Sequence, residues 1–170
     1  DKFNKHLIQY DDVISINYDI FTEIINHLNK KEDDYVKIFH NQYSKKNFYD
    51  NNSHSLLEKK LRQLDYLPLL TKTENTIKLN MPDWRTRYYN RYLKTDIVLE
   101  KDINKIIYQY LTGLEWTLHY YLDDVPSWSW YYNFNCSPSV KDIHRYLIEK
   151  KNPHIVFSKD EPLIPRKQLI

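Results

Sequence analysis

Gly113 is the only glycine in 170 residues, and that scarcity constrains the fold more than any other feature. Gly-rich phosphate loops, dinucleotide-binding fingerprints and tight hairpin turns with positive φ all need glycine at fixed places. Rossmann and P-loop folds are therefore excluded. The strongest periodic signal lies around that glycine: Ile103, Ile107, Tyr110, Leu114, Leu118 and Tyr121 recur at helical spacing, which predicts a long buried helix. Glu100 and Asp102 stand near its start, where the helix dipole favours anions, and it must end before Pro126. Gly113 falls inside it, and the missing side chain predicts close packing of a second helix there.

Other elements follow from caps and stripes. Asn17 is a candidate N-cap, Ile16 and Phe21 sit at staple positions, and Phe21, Ile24, Ile25 and Leu28 form one stripe, so a helix is expected from residue 17 onward. Val36, Ile38, Phe39 and Tyr43 predict a second helix between Lys30 and Phe48, with Glu32-Asp33-Asp34 as a charged turn or helix start. A break at 50–53 precedes a short helix marked by Leu56, Leu57, Leu61 and Leu64, and residues 67–80 read as loop. Trp84 to Lys94 is expected to be helical. A last helix is expected from near Ser139 to Lys150, with Ile143, Leu147 and Ile148 inward, followed by an extended segment containing Pro162 and Pro165.

The composition bounds the class. With 41% hydrophobic and 15% aromatic residues against 28% charged ones, the chain has enough apolar side chain for a core and is not disordered. Its 25 Lys and Arg against 23 Asp and Glu leave a net charge of +2. Cys136 is the single cysteine, so an internal disulfide and a cysteine-based zinc cluster are excluded, which fits a reducing compartment such as the cytoplasm. No run approaches the roughly 20 apolar residues of a membrane span, and no signal peptide opens the chain. The first residue is Asp1, so the sequence reads as an excerpt or a processed product.

Two segments point toward function. Residues 126–138 carry no charge and contain Trp128, Trp130, Tyr131, Tyr132 and Phe134, more aromatic surface than an irregular backbone can bury. Rigid aromatic faces of this kind stack the bases of single-stranded nucleic acid, although a wedge of core between helices would use the same residues. The strip WRTRYYNRYLK, residues 84–94, has four cations, Arg85, Arg87, Arg91 and Lys94, and no anion. It is either a phosphate-holding face or a solvated helix surface. Glu115, His119 and Asp123 recur every fourth residue, a spacing compatible with metal ligation but better read as an exposed polar face. Asp123-Asp124 reads as a polar helix end and Cys136 as a buried thiol. Ser127 and Ser129 have neither a glycine elbow nor a paired base, so a serine hydrolase has no support.

The run from Leu111 to Tyr132, LTGLEWTLHYYLDDVPSWSWYY, closely resembles the second conserved region of the XRN-type 5′→3′ exoribonucleases, with its Gly-Leu-x-Trp and Ser-Trp-x-Trp-Tyr-Tyr spacing. Trp84-Arg-Thr-Arg-Tyr-Tyr89, the element from Pro138 through Asp142-Ile143, and Pro162 to Ile170 agree in order, and the likeness extends weakly back to Ile16. Asn135-Cys136-Ser137 and Lys141 depart from the family pattern, and Arg166-Lys167 replaces an aromatic-acidic pair.

The resemblance implies a mainly α fold, a multi-helix domain with an aromatic irregular segment and an extended Pro-containing C-terminal tail. On this reading residues 1–170 are one helical domain of a longer exoribonuclease. Residues 1–15 are a leader or boundary, 16–80 a divergent half and 81–170 the half most like the family. It also implies two magnesium ions held by carboxylates of an N-terminal catalytic domain outside this sequence, so that these residues alone would be inactive, with no catalytic or metal-binding residue among them. The partners implied are single-stranded RNA with a 5′-monophosphate and that catalytic domain, with no membrane and no disulfide partner. Trp128 or Trp130 would stack on RNA, and Arg85, Arg87 and Arg91 would hold phosphates; Trp84, Trp116 and Tyr88 read as core. The alternative is a non-catalytic helical RNA- or protein-binding scaffold derived from such an enzyme.

Overall fold

A computed structural model describes residues 6–10, 13–44, 55–58, 60–61, 77–95 and 97–162. The expected break at 50–53, most of the loop at 67–80 and the tail beyond Pro162 lie outside these residues. The chain divides into two compact units, residues 1–30 with 99–170, and residues 31–98.

The first unit opens with a β-hairpin, β1 (Ile8–Tyr10) and β2 (Ile14–Ile16), where a leader or boundary was expected. The strands are antiparallel, with Ile8 opposite Ile16 and Tyr10 opposite Ile14. Three residues join them, so the two-residue turns that require glycine are not needed. Asn17 then caps α1 (Tyr18–Asn29), its side chain accepting from the Ile20 N–H at 3.3 Å. Ile16 and Phe21 both pack on the core as a staple should. The buried residues are nevertheless Tyr18, Ile20 and Ile25, while Leu28 is exposed.

The long helix α4 (Glu100–Leu122) and the last helix α5 (Val140–Lys150) complete this unit, with α2 (Glu32–Ser44) and α3 (Trp84–Leu93) belonging to the other. Ser139 caps α5 by accepting from the Asp142 N–H at 3.2 Å. Helix α1 packs on α5, and α4 packs on both β2 and α5. Tyr18, Ile25, Ile107, Leu111, Ile143, Tyr146 and Leu147 form the core.

The expected inward faces shift in two places. On α5, Tyr146 is buried and Ile148 is 58% exposed. On α4 the buried residues are Ile106, Ile107, Leu111, Thr112 and Glu115, whereas Tyr121 is 75% exposed. The apolar period runs on toward the end of α4, but its outermost tyrosines are left in solvent.

In the second unit, α2 (Glu32–Ser44) carries Glu32, Asp33 and Asp34 in its first turn, as the dipole favours. Ile38 and Phe39 are exposed. Residues 56–58 are helical, and Ser55 and Glu58 cap them reciprocally, each side chain accepting from the other's backbone N–H at 3.3 and 3.0 Å. Leu56, Leu57 and Leu61 are exposed rather than inward, and Leu64 lies outside the described residues. Helix α3 (Trp84–Leu93) follows Asp83 and ends at Lys94, both in the left-handed region. Its Tyr89 is buried, as is the preceding Ile77. No helix among the described residues is long and apolar enough to cross a membrane.

Candidate nucleic-acid interface

The uncharged aromatic segment leaves α4 as an irregular strand of chain that separates its two tryptophans. The ring of Trp130 lies over Gly113: a Cβ at that position would stand 3.0 Å from Trp130 Cη2. The missing side chain thus admits an indole rather than a second helix. Trp130 also stacks with Trp116, at a centroid distance of 6.2 Å, and meets the edge of Phe157 at 6.5 Å. Trp116 stacks on Tyr120 in turn and donates its indole N–H to the Ser127 carbonyl at 2.8 Å. Trp130 is therefore a packing residue. Trp128 is different, with 40% of its surface exposed.

What fixes the backbone at Trp128 is a carboxylate from far along the chain. Asp160 accepts from the Ser127 hydroxyl at 3.0 Å, the Ser129 N–H at 2.9 Å, the Trp128 N–H and the Ser129 hydroxyl. Four donors converge on one anion, which stabilises the ionised form. These hydrogen bonds, the Ser129 hydroxyl foremost, lower the Asp160 carboxyl pKa from 3.8 to about 2. The segment then runs on through Tyr132, which packs edge-on against Tyr110 and Phe134 and donates to the Cys136 carbonyl. Cys136 is buried and free, and burial raises its thiol pKa.

Glu115 is not on an exposed polar face. It is 6% exposed, and its carboxylate accepts from the Ile16 N–H of β2 at 3.2 Å. Desolvation raises its pKa from the ordinary 4.5, and the adjacent Tyr18 hydroxyl is raised too, first by burial and then by the Glu115 charge. Glu115, His119 and Tyr18 line a cavity of about 470 Å³ that Asp123 does not reach; Asp123 instead faces His119, Oδ2 to Nδ1, at 3.5 Å. Among the described residues no three His, Cys, Asp or Glu side chains are placed to hold a metal ion. Because the Glu115 pKa is higher folded than unfolded, the folded state binds the proton more tightly. Its stability falls as pH rises from 4.5 through the raised value. Glu115→Gln keeps an acceptor for Ile16 and removes the buried charge, so it is expected to raise the melting temperature at neutral pH and flatten that dependence, as thermal melts across pH 4–8 would show.

The basic strip belongs to the second unit, and its arginines do different work. Arg87 is committed to backbone carbonyls, Nε to Ile77 at 2.6 Å, Nη1 to Pro82 at 2.7 Å, and Nη2 to Lys78 at 3.0 Å and Met81 at 3.2 Å. Its forked donors close the turn before α3, in which Lys78 and Asp83 have positive φ, and leave little capacity for phosphate. Arg91 is exposed, while Arg85 is half-buried with one guanidinium nitrogen that has no hydrogen-bond partner. Trp84 donates to Asp33 at 3.1 Å and meets Tyr88 edge-on. Trp116, Trp128 and Trp130 thus belong to the first unit, and the arginine strip, with Trp84, to the second.

Sequence reasoning missed Asp160 because it lies 31 to 33 residues from the serines and tryptophan that it binds, and no local pattern announces such a contact.

The sequence matches the family model of the Xrn1 helical domain over residues 3–170. It is 29% identical over 118 residues to 5′-3′ exoribonuclease 1 of Schizosaccharomyces pombe, covering 67% of this chain and 9% of the relative. With 5′-3′ exoribonuclease 1 of Saccharomyces cerevisiae it shares 33% over 100 residues, 58% of this chain and 6% of the relative. With 5′-3′ exoribonuclease 2 of Gallus gallus it shares 38% over 69 residues, 41% and 7% respectively. The chain thus spans a small part of the length of these relatives.

Proposed function

Because the chain belongs to the Xrn1 helical domain family, we propose that it is the helical companion of a catalytic domain in a 5′→3′ exoribonuclease and helps guide single-stranded RNA bearing a 5′-monophosphate. The observation that carries this reading is the outward indole of Trp128 on a loop fixed by Asp160. A backbone already fixed at the aromatic residue reduces the conformational entropy lost on stacking a base, and such a contact contributes about 1–3 kcal/mol. Arg91 and Arg85 supply cations in the second unit that can take phosphates, while Arg87 serves its own turn. The metal-dependent hydrolysis, with the magnesium ions, belongs on this reading to the catalytic domain. A cytoplasmic site of action is part of the same proposal.

The two tryptophans give the test. In the full-length protein with magnesium, RNA labelled at its 3′ end and carrying a 5′-monophosphate is expected to be degraded in preference to a 5′-hydroxyl control. Trp128→Ala is expected to slow that degradation about tenfold with the melting temperature nearly unchanged, the size of one lost stacking contact. Trp130→Ala is expected to cost stability, on the order of 3 kcal/mol, because it empties the space over Gly113. Equal loss of stability and activity at both positions would make the aromatics core alone. Failure to degrade either RNA would favour the non-catalytic scaffold.

A further inference from the structure

On the face of the first unit where α4 runs beside α5, a groove of about 480 Å³ is rimmed by Lys101 and Lys105 of α4 and Lys150 of α5, with Tyr108, Asn133 and Phe134 in its wall. No carboxylate lines it among the described residues. Lys101, Lys105 and Tyr108 stand at i, i+4 and i+7, one face of a helix. Lys101 stands between Glu100 and Asp102, and Lys150 follows Glu149; Arg145 engages Glu100 and Glu149, the second at 3.6 Å, and Asp102 does not line the groove. The three lysines form no ion pair with a described residue. Among the described residues no carboxylate pairs directly with them at the groove. The aromatic wall is preset: Phe134 is held edge-on by Tyr132 at 5.8 Å, and Tyr132 in turn by Tyr110 at 6.3 Å.

We propose that this groove is a second RNA-binding surface, with phosphates on Lys101, Lys105 and Lys150 and a base against Phe134. It rests on the reading that the protein acts on RNA and places a contact away from the Trp128 loop. Charge complementarity favours a polyanion, and the aromatic and amide wall favours a nucleic acid over an acidic protein, since a flat ring and an amide suit a base. Asn133 and Phe134 also continue the segment that carries Trp128, so one piece of chain would serve both contacts.

The experiment measures equilibrium binding of a fluorescent single-stranded oligouridine with a 5′-hydroxyl to the full-length protein, in chelator, over a series of salt concentrations. The triple variant Lys101→Ala, Lys105→Ala, Lys150→Ala is expected to bind about tenfold more weakly at low salt, with the log–log salt slope reduced by about 2, since each lysine neutralises one phosphate. Phe134→Leu is expected to weaken binding about fivefold or more with the slope unchanged, which separates stacking from charge. The lysines are exposed, so circular dichroism of the triple variant should match the parent. Affinity and slope equal to the parent in the triple variant would overturn the proposal, and loss of polyglutamate binding in that case would assign the groove to an acidic protein. Loss of oligouridine binding alongside unchanged degradation in Trp128→Ala would keep the groove and remove the stacking role, so the two readings fail separately.

Discussion

Truncating Leu111 to alanine is expected to destabilise the first unit by about 2–5 kcal/mol. Leu111 is 0% exposed and lies in the core with Ile107, Ile143 and Leu147, at the place where α4 meets its partners. Removing its side chain loses the transfer free energy of the buried methyl groups and leaves a cavity that the close-packed surroundings cannot fill. Urea unfolding followed by circular dichroism would show the midpoint fall with little change in slope. The informative control is Tyr121→Ala. Tyr121 belongs to the same sequence period but is 75% exposed, so its loss should change stability by no more than about 0.5 kcal/mol. A large cost at Tyr121, or a small one at Leu111, would show that α4 presents a different face to the core.

Replacing Asp160 with alanine is expected to release the Ser127-Trp128-Ser129 loop and to lower 5′→3′ degradation of RNA by at least as much as the loss of Trp128 itself, about tenfold. Two backbone N–H groups and two hydroxyls lose their common acceptor together, and a stacking group displaced by even an ångström loses much of its orienting effect. Asp160→Asn offers amide hydrogens where both serine hydroxyls and the Ser129 N–H donate, so it should recover only part of the activity. The pH dependence has a definite sign. The folded pKa, about 2, lies below the unfolded value of 3.8, so the contribution of the carboxylate is complete above pH 4 and is lost as pH falls toward 2. Tryptophan fluorescence should report that acid transition in the parent and lose it in Asp160→Asn. An activity in Asp160→Ala equal to the parent's would remove both the clamp and the importance of the loop.

These two residues show where sequence reading stopped. The helix starts were legible because capping is local: Asn17 and Ser139 each act on an N–H three residues ahead, so a pattern in the sequence carries the whole interaction. The family was legible for a related reason, since the glycine and the spaced tryptophans of 111–132 are one continuous run. Which face of each helix is buried was less so. Ile148 and Tyr121 continue the apolar periods of their helices, and they lie in solvent because no element among the described residues covers them.

The division of labour between the tryptophans was not legible at all. Trp128 and Trp130 are two residues apart with the same chemistry, yet Trp130 rests on Gly113 and Trp128 is exposed on a backbone held by Asp160. Glu115 looked like part of a polar stripe and is buried because β2 presents the Ile16 N–H to it. Arg87 looked like its neighbours in the basic strip and spends its guanidinium on four carbonyls of a turn. By itself the sequence determined the main helices, the Asn17 cap and the family, because those depend on interactions within a few residues. Only the tertiary structure decided which aromatic, carboxylate and arginine remain available to a ligand, because burial and hydrogen-bond saturation are set by groups that meet only when the chain has folded.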